Sequence, residues 1–263
     1  MESFVRLDNV SVRFRKYYGR SHGIKEAAMR LLRPPTWYEK NPPQKVDFLG
    51  LDQMNLDLRE GDRLGIIGKN GAGKSTLLKV ISRIYRPSEG ALTVSGRVAP
   101  LIEIGAGFSP ELTGRENAFL NGAVLGIPRK EIAKRLNSII KFSELSDFFD
   151  MPVKYYSTGM NLRLAFTIAT EVTPDILILD ELYAGGDASF IQKANRRLDK
   201  FVEESKILLL VAHDMSYIRR FCNKVVVLDQ GKIVAQGEPT LMVDRYLDFC
   251  EGNATAFETR LST

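Results

Sequence analysis

The octapeptide Gly68-Lys69-Asn70-Gly71-Ala72-Gly73-Lys74-Ser75 fills every fixed position of the pattern G-x-x-x-x-G-K-[ST]. Each residue type in it has a use against a polyphosphate. The glycines let the backbone wrap closely enough for its N–H groups to point at phosphate oxygens. The helix expected to follow adds its positive N-terminal end. Gly68, Asn70, Gly71, Ala72 and Gly73 are therefore read as the cradle of a nucleotide. Lys74 is expected to reach the β- and γ-phosphates, the Ser75 hydroxyl to ligate Mg²⁺, and Thr76 to help at the α-phosphate. A glycine-rich turn that happens to end in Lys-Ser is the plain alternative. Average residue usage produces the pattern by chance in about one such chain in a hundred, and the apolar run LGIIG before it supplies the strand that the chemistry needs.

A second run, Ile176-Leu177-Ile178-Leu179, leads straight into Asp180-Glu181. Four consecutive apolar residues suit a central strand, and Asp180 then emerges at its C-terminal edge, where doubly wound sheets place ligands. Asp180 is expected to hold Mg²⁺ through its water shell. Glu181 points elsewhere and is read as the general base that polarises the attacking water. His213 ends a third apolar run, KILLLVAH, and is expected to hydrogen-bond the γ-phosphate and that water. Lys74, Glu181 and His213 make up the expected catalytic set.

One more segment narrows the reading. Tyr156-Ser157-Thr158-Gly159-Met160, followed by Arg163-Leu164-Ala165, resembles the signature motif of the ABC ATPases, and Ser157 precedes Asp180 by 23 residues as in that family. The resemblance covers nearly the whole chain. It implies that Ser157, Thr158, Gly159 and Met160 close on the γ-phosphate held by the other subunit's loop, so that ATP lies between two copies of the chain. A serine and a glycine at a helix N-terminus make an anion site. Asp187 falls in the D-loop position and His213 in the switch-histidine position.

YSTGM, the block GRVAPLIEIGAGFSPELTGREN and a basic insertion before the second strand are similar to one branch of the family, the ATPases of O-antigen, capsule and teichoic acid export. That resemblance implies a homodimer under two integral membrane permease subunits, of about six spanning helices each. It also implies a lipid-linked polysaccharide as cargo, no nucleic acid, and a peripheral place on the cytoplasmic side of the inner membrane. The alternatives are another ABC transporter subunit, for teichoic acid, capsule or import, and an ABC ATPase without a membrane partner. The family's Q-loop glutamine is absent, and Glu103 stands nearest to its position. The aromatic expected to stack on adenine is Phe14, Tyr17 or Tyr18, with Phe14 best placed from the first strand. Some relatives carry a C-terminal carbohydrate-binding domain, which is not expected here.

These residues need elements to hold them. Residues 1–14 and 47–60 alternate as strands do. Between them, residues 15–46 are basic, aromatic and proline-rich. Ile24, Ala27, Ala28, Leu31 and Leu32 follow a helical period there, with Lys25, Arg30 and Arg33 on the other face. Such a helix meets anionic lipid or docks on its own domain. The spacing predicts a helix over 76–85, a largely helical region over 100–170, strands over 176–179 and 207–212, a hairpin over 225–235 and a helix over 240–250. The expected fold is α/β: a P-loop core with a mainly parallel sheet, an antiparallel β subdomain and an inserted helical subdomain at about 100–172. One domain, 1–250, precedes a polar tail, 251–263.

The composition agrees. The chain has 263 residues, 44% hydrophobic and 26% charged, with a net charge of +5. No apolar run approaches the roughly 18 residues that span a bilayer. MESFVRLDNVSVRF contains no signal-peptide core, and two cysteines, Cys222 and Cys250, make no disulfide framework.

Overall fold

The computed structural model describes residues 2–18, 44–102, 105, 107–180, 188–212 and 214–251. In chain order the elements begin with β1 (Phe4–Tyr18), β2 (Gln44–Arg59), β3 (Arg63–Ile67), α1 (Lys74–Ile81), β4 (Glu89–Ser95) and β5 (Val98–Leu101). Then come α2 (Gly114–Val124), α3 (Arg129–Ser143), a 3₁₀ turn (Val153–Tyr155), α4 (Thr158–Ala169), β6 (Ile176–Asp180) and α5 (Ala188–Glu204). β7 (Ile207–Val211), α6 (Met215–Phe221), β8 (Lys224–Asp229), β9 (Lys232–Gly237) and α7 (Pro239–Cys250) complete the described chain.

Two sheets form. A six-stranded sheet runs β5-β6-β7-β3-β8-β9, with β9 alone antiparallel to its neighbour, and a three-stranded antiparallel sheet runs β2-β1-β4. β6 and β7 are apolar on both faces because both are covered. One face meets α1 and the antiparallel sheet, in a core that includes Val5, Leu51, Leu77, Leu78, Ile178 and Leu209. The other meets α5, α6 and α7 through Phe201, Ile218, Val243 and Tyr246. A separate apolar cluster of Ile132, Ile139, Phe149, Leu164 and Ile168 holds α2, α3 and α4 together as the helical layer.

Local signals set the helix ends. Thr113-Gly114-Arg115-Glu116 is a capping box: the Thr113 hydroxyl accepts the Glu116 N–H at 3.1 Å, and the Glu116 carboxylate accepts the Thr113 N–H at 2.9 Å. α1 is shorter than the predicted 76–85. It stops at Ile81 because Arg83 turns left-handed, φ 59°. The region over 100–170 is less helical than predicted. Within it the regular helices start only at Gly114, and the end of β5 takes Pro100 and Leu101; β4 lies before it, and periodicity announces neither strand. β1 and β2 also run further than expected. They pair to Tyr18 and Gln44, whereas β4 leaves β1 at Ser11, so a two-stranded ribbon extends beyond the sheet. The predicted helix at 24–33 and the tail beyond 251 lie outside the described residues. Among the described residues no helix is long and apolar enough to cross a membrane.

Candidate nucleotide site

The phosphate loop leaves β3 at Gly68 and enters α1 at Lys74. Two of its glycines are required by their surroundings. Gly73, the N-cap of α1, has φ 107°, and a Cβ there would lie 2.6 Å from the Gly50 carbonyl oxygen of β2. Gly68 has φ 150°, and a Cβ there would run into the Leu228 carbonyl of β8. Gly231, in the β8–β9 turn, closes the arrangement. Its N–H donates to the Ala72 carbonyl at 2.9 Å, and its own carbonyl accepts from Asp52 N–H at 2.9 Å. A Lys232–Asp52 ion pair at 3.1 Å lies beside it. Gly50, Gly73 and Gly231 come from three distant segments, and a Cβ on Gly73 or Gly231 would press on the Gly50 carbonyl, so these two glycines let three backbones meet.

Lys74 Nζ donates to the Gly68 and Lys69 carbonyls at 2.6 and 3.1 Å, so the ammonium sits over its own loop. Asn70, Gly71 and Ser75 are exposed, while Ala72 is buried. α1 has no side-chain cap and no acidic residue in its first turn, which leaves its positive end open to an anion. Leu77, Leu78, Val80 and Ile81 are buried and fix the helix. Burying one such side chain contributes about 1.5–3 kcal/mol.

Asp180 closes β6 and is half-buried. It pairs with Val211 of β7, and Leu210 of β7 pairs with Gly65 of β3. Asp180 is thus level with Ile66, two strand spacings or about 10 Å away, at the edge from which the phosphate loop emerges. Glu181, Asp187, His213 and Glu103 lie outside the described residues.

The Phe14 ring stacks on Phe48 at 5.3 Å and meets Tyr85 edge-on at 5.4 Å. A Cβ on Gly50 would lie 2.5 Å from Phe14 and 3.2 Å from the Thr76 methyl, so Gly50 lets the Phe14 ring approach the first turn of α1. Phe48, 50% exposed, presents the open aromatic surface of the group. Tyr18 pairs with Gln44 four residues beyond Phe14, about 13 Å farther along β1. The side chains of Tyr17 and Tyr18 lie outside the described residues.

Ser157 caps α4: its hydroxyl accepts the Met160 N–H at 3.2 Å. Ser157 and Thr158 are exposed, and among the described residues the space beside Gly159 holds only the Ser157 hydroxyl within 4 Å. The preceding Tyr156 is buried and donates to the Phe148 carbonyl at 2.8 Å. Burial pushes its phenol up, with Asp150 adding to the effect, so the hydroxyl stays a donor. Farther along, Arg163 pairs with Glu144 at 3.2 Å, and Lys193 of α5 reaches the same carboxylate at 2.9 Å. Glu171, just beyond α4, is buried and pairs with Arg197 of α5 at 2.6 Å. Arg197 also donates to the Thr170 carbonyl. The helix that presents Ser157 is thereby bound to the helix that follows residue 187.

The structure brings Lys74, Ser75, Thr76, Phe14 and Asp180 to one end of the sheet, and sets Ser157–Met160 on the helical layer. Sequence reasoning missed Phe48, Gly50, Gly231 and Glu171. The Asp-Gln-Gly-Lys turn could have suggested Gly231, but none of the four carries a local sign of its partner.

Comparison with known proteins agrees with this geometry. The family model described as "ABC transporter" matches residues 51–184. ABC transporter protein AbcA of Aeromonas salmonicida is 44% identical over 80% of this chain and 68% of its own. The O-antigen export system ATP-binding protein RfbB of Klebsiella pneumoniae is 37% identical over 94% of this chain and 98% of its own. Among solved structures, an ATP-binding subunit of an ABC transporter superposes with a TM-score of 0.65 at 22% identity, covering 95% of this chain and 98% of its own. The chain belongs to the ATP-binding subunits of the ABC transporters and is an ABC ATPase.

Proposed function

We propose that the chain hydrolyses ATP as one half of a homodimer that drives export of a lipid-linked, O-antigen-like polysaccharide through an integral membrane permease. The observation that carries the dimer is the separation of two exposed half-sites. The phosphate loop lies at the sheet edge, while Ser157 and Thr158 stand at the tip of a helix rooted in the helical layer's own core. Each half offers backbone N–H groups to an anion, and each lacks what the other has. The cargo rests on the likeness to an O-antigen export subunit over nearly the full length of both chains. Such a dimer sits on the cytoplasmic side of the inner membrane, held by two permease subunits.

In this reading the triphosphate draws the Lys74 ammonium off the Gly68 and Lys69 carbonyls, and the loop amides take up its oxygens. Phe14 and Phe48 offer the base an aromatic surface. Ser75 and Asp180 would hold Mg²⁺. A hydroxyl and a carboxylate at one sheet edge fit a small cation that takes oxygen donors and completes its shell with phosphate and water. Held there, such an ion would supply neutralisation of negative charge on the triphosphate. Glu181 accepts the proton of the attacking water and His213 orients it. Ser157 and Gly159 of the second subunit close the pocket, and Asp187 couples the two sites. Dimer closure then moves the helices of the permease.

Mixed dimers test the arrangement. Lys74→Ala and Ser157→Arg chains are each inactive alone. Statistical mixing of a two-fold dimer leaves half the dimers with one intact site, so about a quarter of wild-type ATPase activity returns. No recovery would show that each chain encloses its own nucleotide. For the cargo, ATPase activity of the complex with its permease rises on addition of lipid-linked polysaccharide. Stimulation by a polyol-phosphate polymer alone would move the reading to teichoic acid export.

A further inference from the structure

The C-terminal helix α7 ends on the phosphate loop. Lys69 Nζ lies over the Phe249 ring, 4.6 Å from its centroid. Lys69 is also the residue whose carbonyl accepts the Lys74 ammonium at 3.1 Å and the Ala72 N–H at 3.1 Å. The side chain gripped by α7 therefore belongs to the peptide that parks the loop's own lysine.

α7 is well anchored for this. Glu238 caps its first turn by accepting from Thr240 and Leu241 N–H, and Met242, Val243 and Tyr246 are buried in the core behind β8 and β9. Asp244 pairs with Arg219 of α6 at 2.6 Å. α6 in turn begins at Met215, capped by Asp214. One rigid helix thus joins the phosphate loop to the element that follows β7.

We propose that Phe249 is a positioning residue for the nucleotide, acting through Lys69, and that α7 is a strut between the phosphate loop and α6. The proposal rests on the reading of residues 68–75 as the nucleotide loop. When Lys74 turns to a phosphate, the Lys69 carbonyl loses its charged donor. The Ala72 N–H bond to that carbonyl and the contact between the Lys69 side chain and Phe249 then hold the peptide in place. In this proposal Phe249 acts on the loop through Lys69 and not on the reacting atoms, so it supports ground and transition states alike, and its loss is expected to raise KM and leave kcat in place.

The test uses the full chain with Mg-ATP, measuring ATP affinity by equilibrium binding together with KM and kcat. Phe249→Leu keeps α7 apolar and removes the ring. Lys69→Met keeps the stem, removes the charge and leaves α7 untouched. Each is expected to weaken ATP binding on the order of two- to five-fold, as loss of a partly exposed cation–π contact does. The double variant is expected to be no weaker than either single one, and Phe249→Tyr to bind as the wild type does. Additive losses, or unchanged affinity in Lys69→Met, would overturn the proposal. Lys74→Ala separates the two levels. If it keeps full ATP affinity, the nucleotide reading itself falls. If it abolishes binding while Phe249 and Lys69 show no coupling, only the strut falls.

Discussion

Glu171→Ala removes the partner of a buried charge. The Glu171 side chain is 5% exposed and that of Arg197 19% exposed, with 2.6 Å between them. Loss of one member of such a pair typically costs about 3–5 kcal/mol, because the remaining charge stays desolvated. Two features put this case at the low end. Arg197 keeps its hydrogen bonds to the Thr170 carbonyl, and Arg135, the second cation at 3.9 Å, is half-exposed and rehydrates. A loss of about 3 kcal/mol lowers the melting temperature of a domain of this size by about 6–12 °C. Thermal unfolding followed by circular dichroism, with and without Mg-ATP, measures it. Arg197→Met in the same background removes the stranded charge and is expected to restore at least half of the loss, since an apolar replacement of a whole buried pair is often neutral. A shift under about 2 °C for Glu171→Ala would refute the reasoning, because it is what an exposed surface pair gives. Failure of the double variant to recover would show instead that Glu171 acts through packing.

Two further outcomes follow from the same geometry. Gly231→Ala puts a methyl group into a left-handed residue, φ 80°, with the Gly50 carbonyl oxygen and Leu51 Cα each 3.0 Å away. The conformational cost is about 1–2 kcal/mol, and a displaced hydrogen bond to Ala72 adds about 0.5–1.5 kcal/mol. Calorimetry is expected to show a lowered melting temperature and nucleotide titration a weakened ATP affinity; unchanged affinity would show that the turn does not shape the loop. Asp175 accepts the Arg97 N–H at 2.8 Å and pairs with Lys206 at 3.1 Å, which together hold its carboxyl below the ordinary carboxylate value. A carboxylate depressed in the folded state adds stability that is fully present above its unfolded pKa and is lost as pH falls through the lower folded one. Melting temperature is therefore expected to fall below about pH 4, and Asp175→Asn to flatten that limb.

How far the site was legible depended on the range of the interactions. LGIIG, the glycine loop and TLLKV state strand, turn and helix within a few residues, and ILILD carries its own burial and its own edge. The loop, Asp180 and the Ser157 cap were legible for that reason: each is specified by neighbours in the chain. β4 was missed because its residues Glu89–Ser95 are largely exposed or half-buried and alternate weakly. β5 was missed because its four residues include Pro100, which the sheet tolerates at an outer strand. Both strands are held by pairing with distant partners rather than by their own pattern.

The same distinction separates the parts of the candidate nucleotide site. Phe14 could be named from its place in the first strand, but Phe48 could not. The register that sets the two rings together bridges the whole of residues 19–43, and a one-residue slip would send Phe48 to the opposite face. Gly50, Gly73 and Gly231 are separated by 23 and 158 residues, and only the folded chain shows that three backbones converge there. Glu171 reads as an ordinary solvated acid until Arg197, 26 positions later, closes on it. Phe249 extends the pattern. In sequence it is one more apolar residue on a terminal helix, yet in space its ring meets the first variable residue of the phosphate loop. Local sequence therefore specifies the groups proposed to meet the nucleotide, while the residues packed around them are specified by topology.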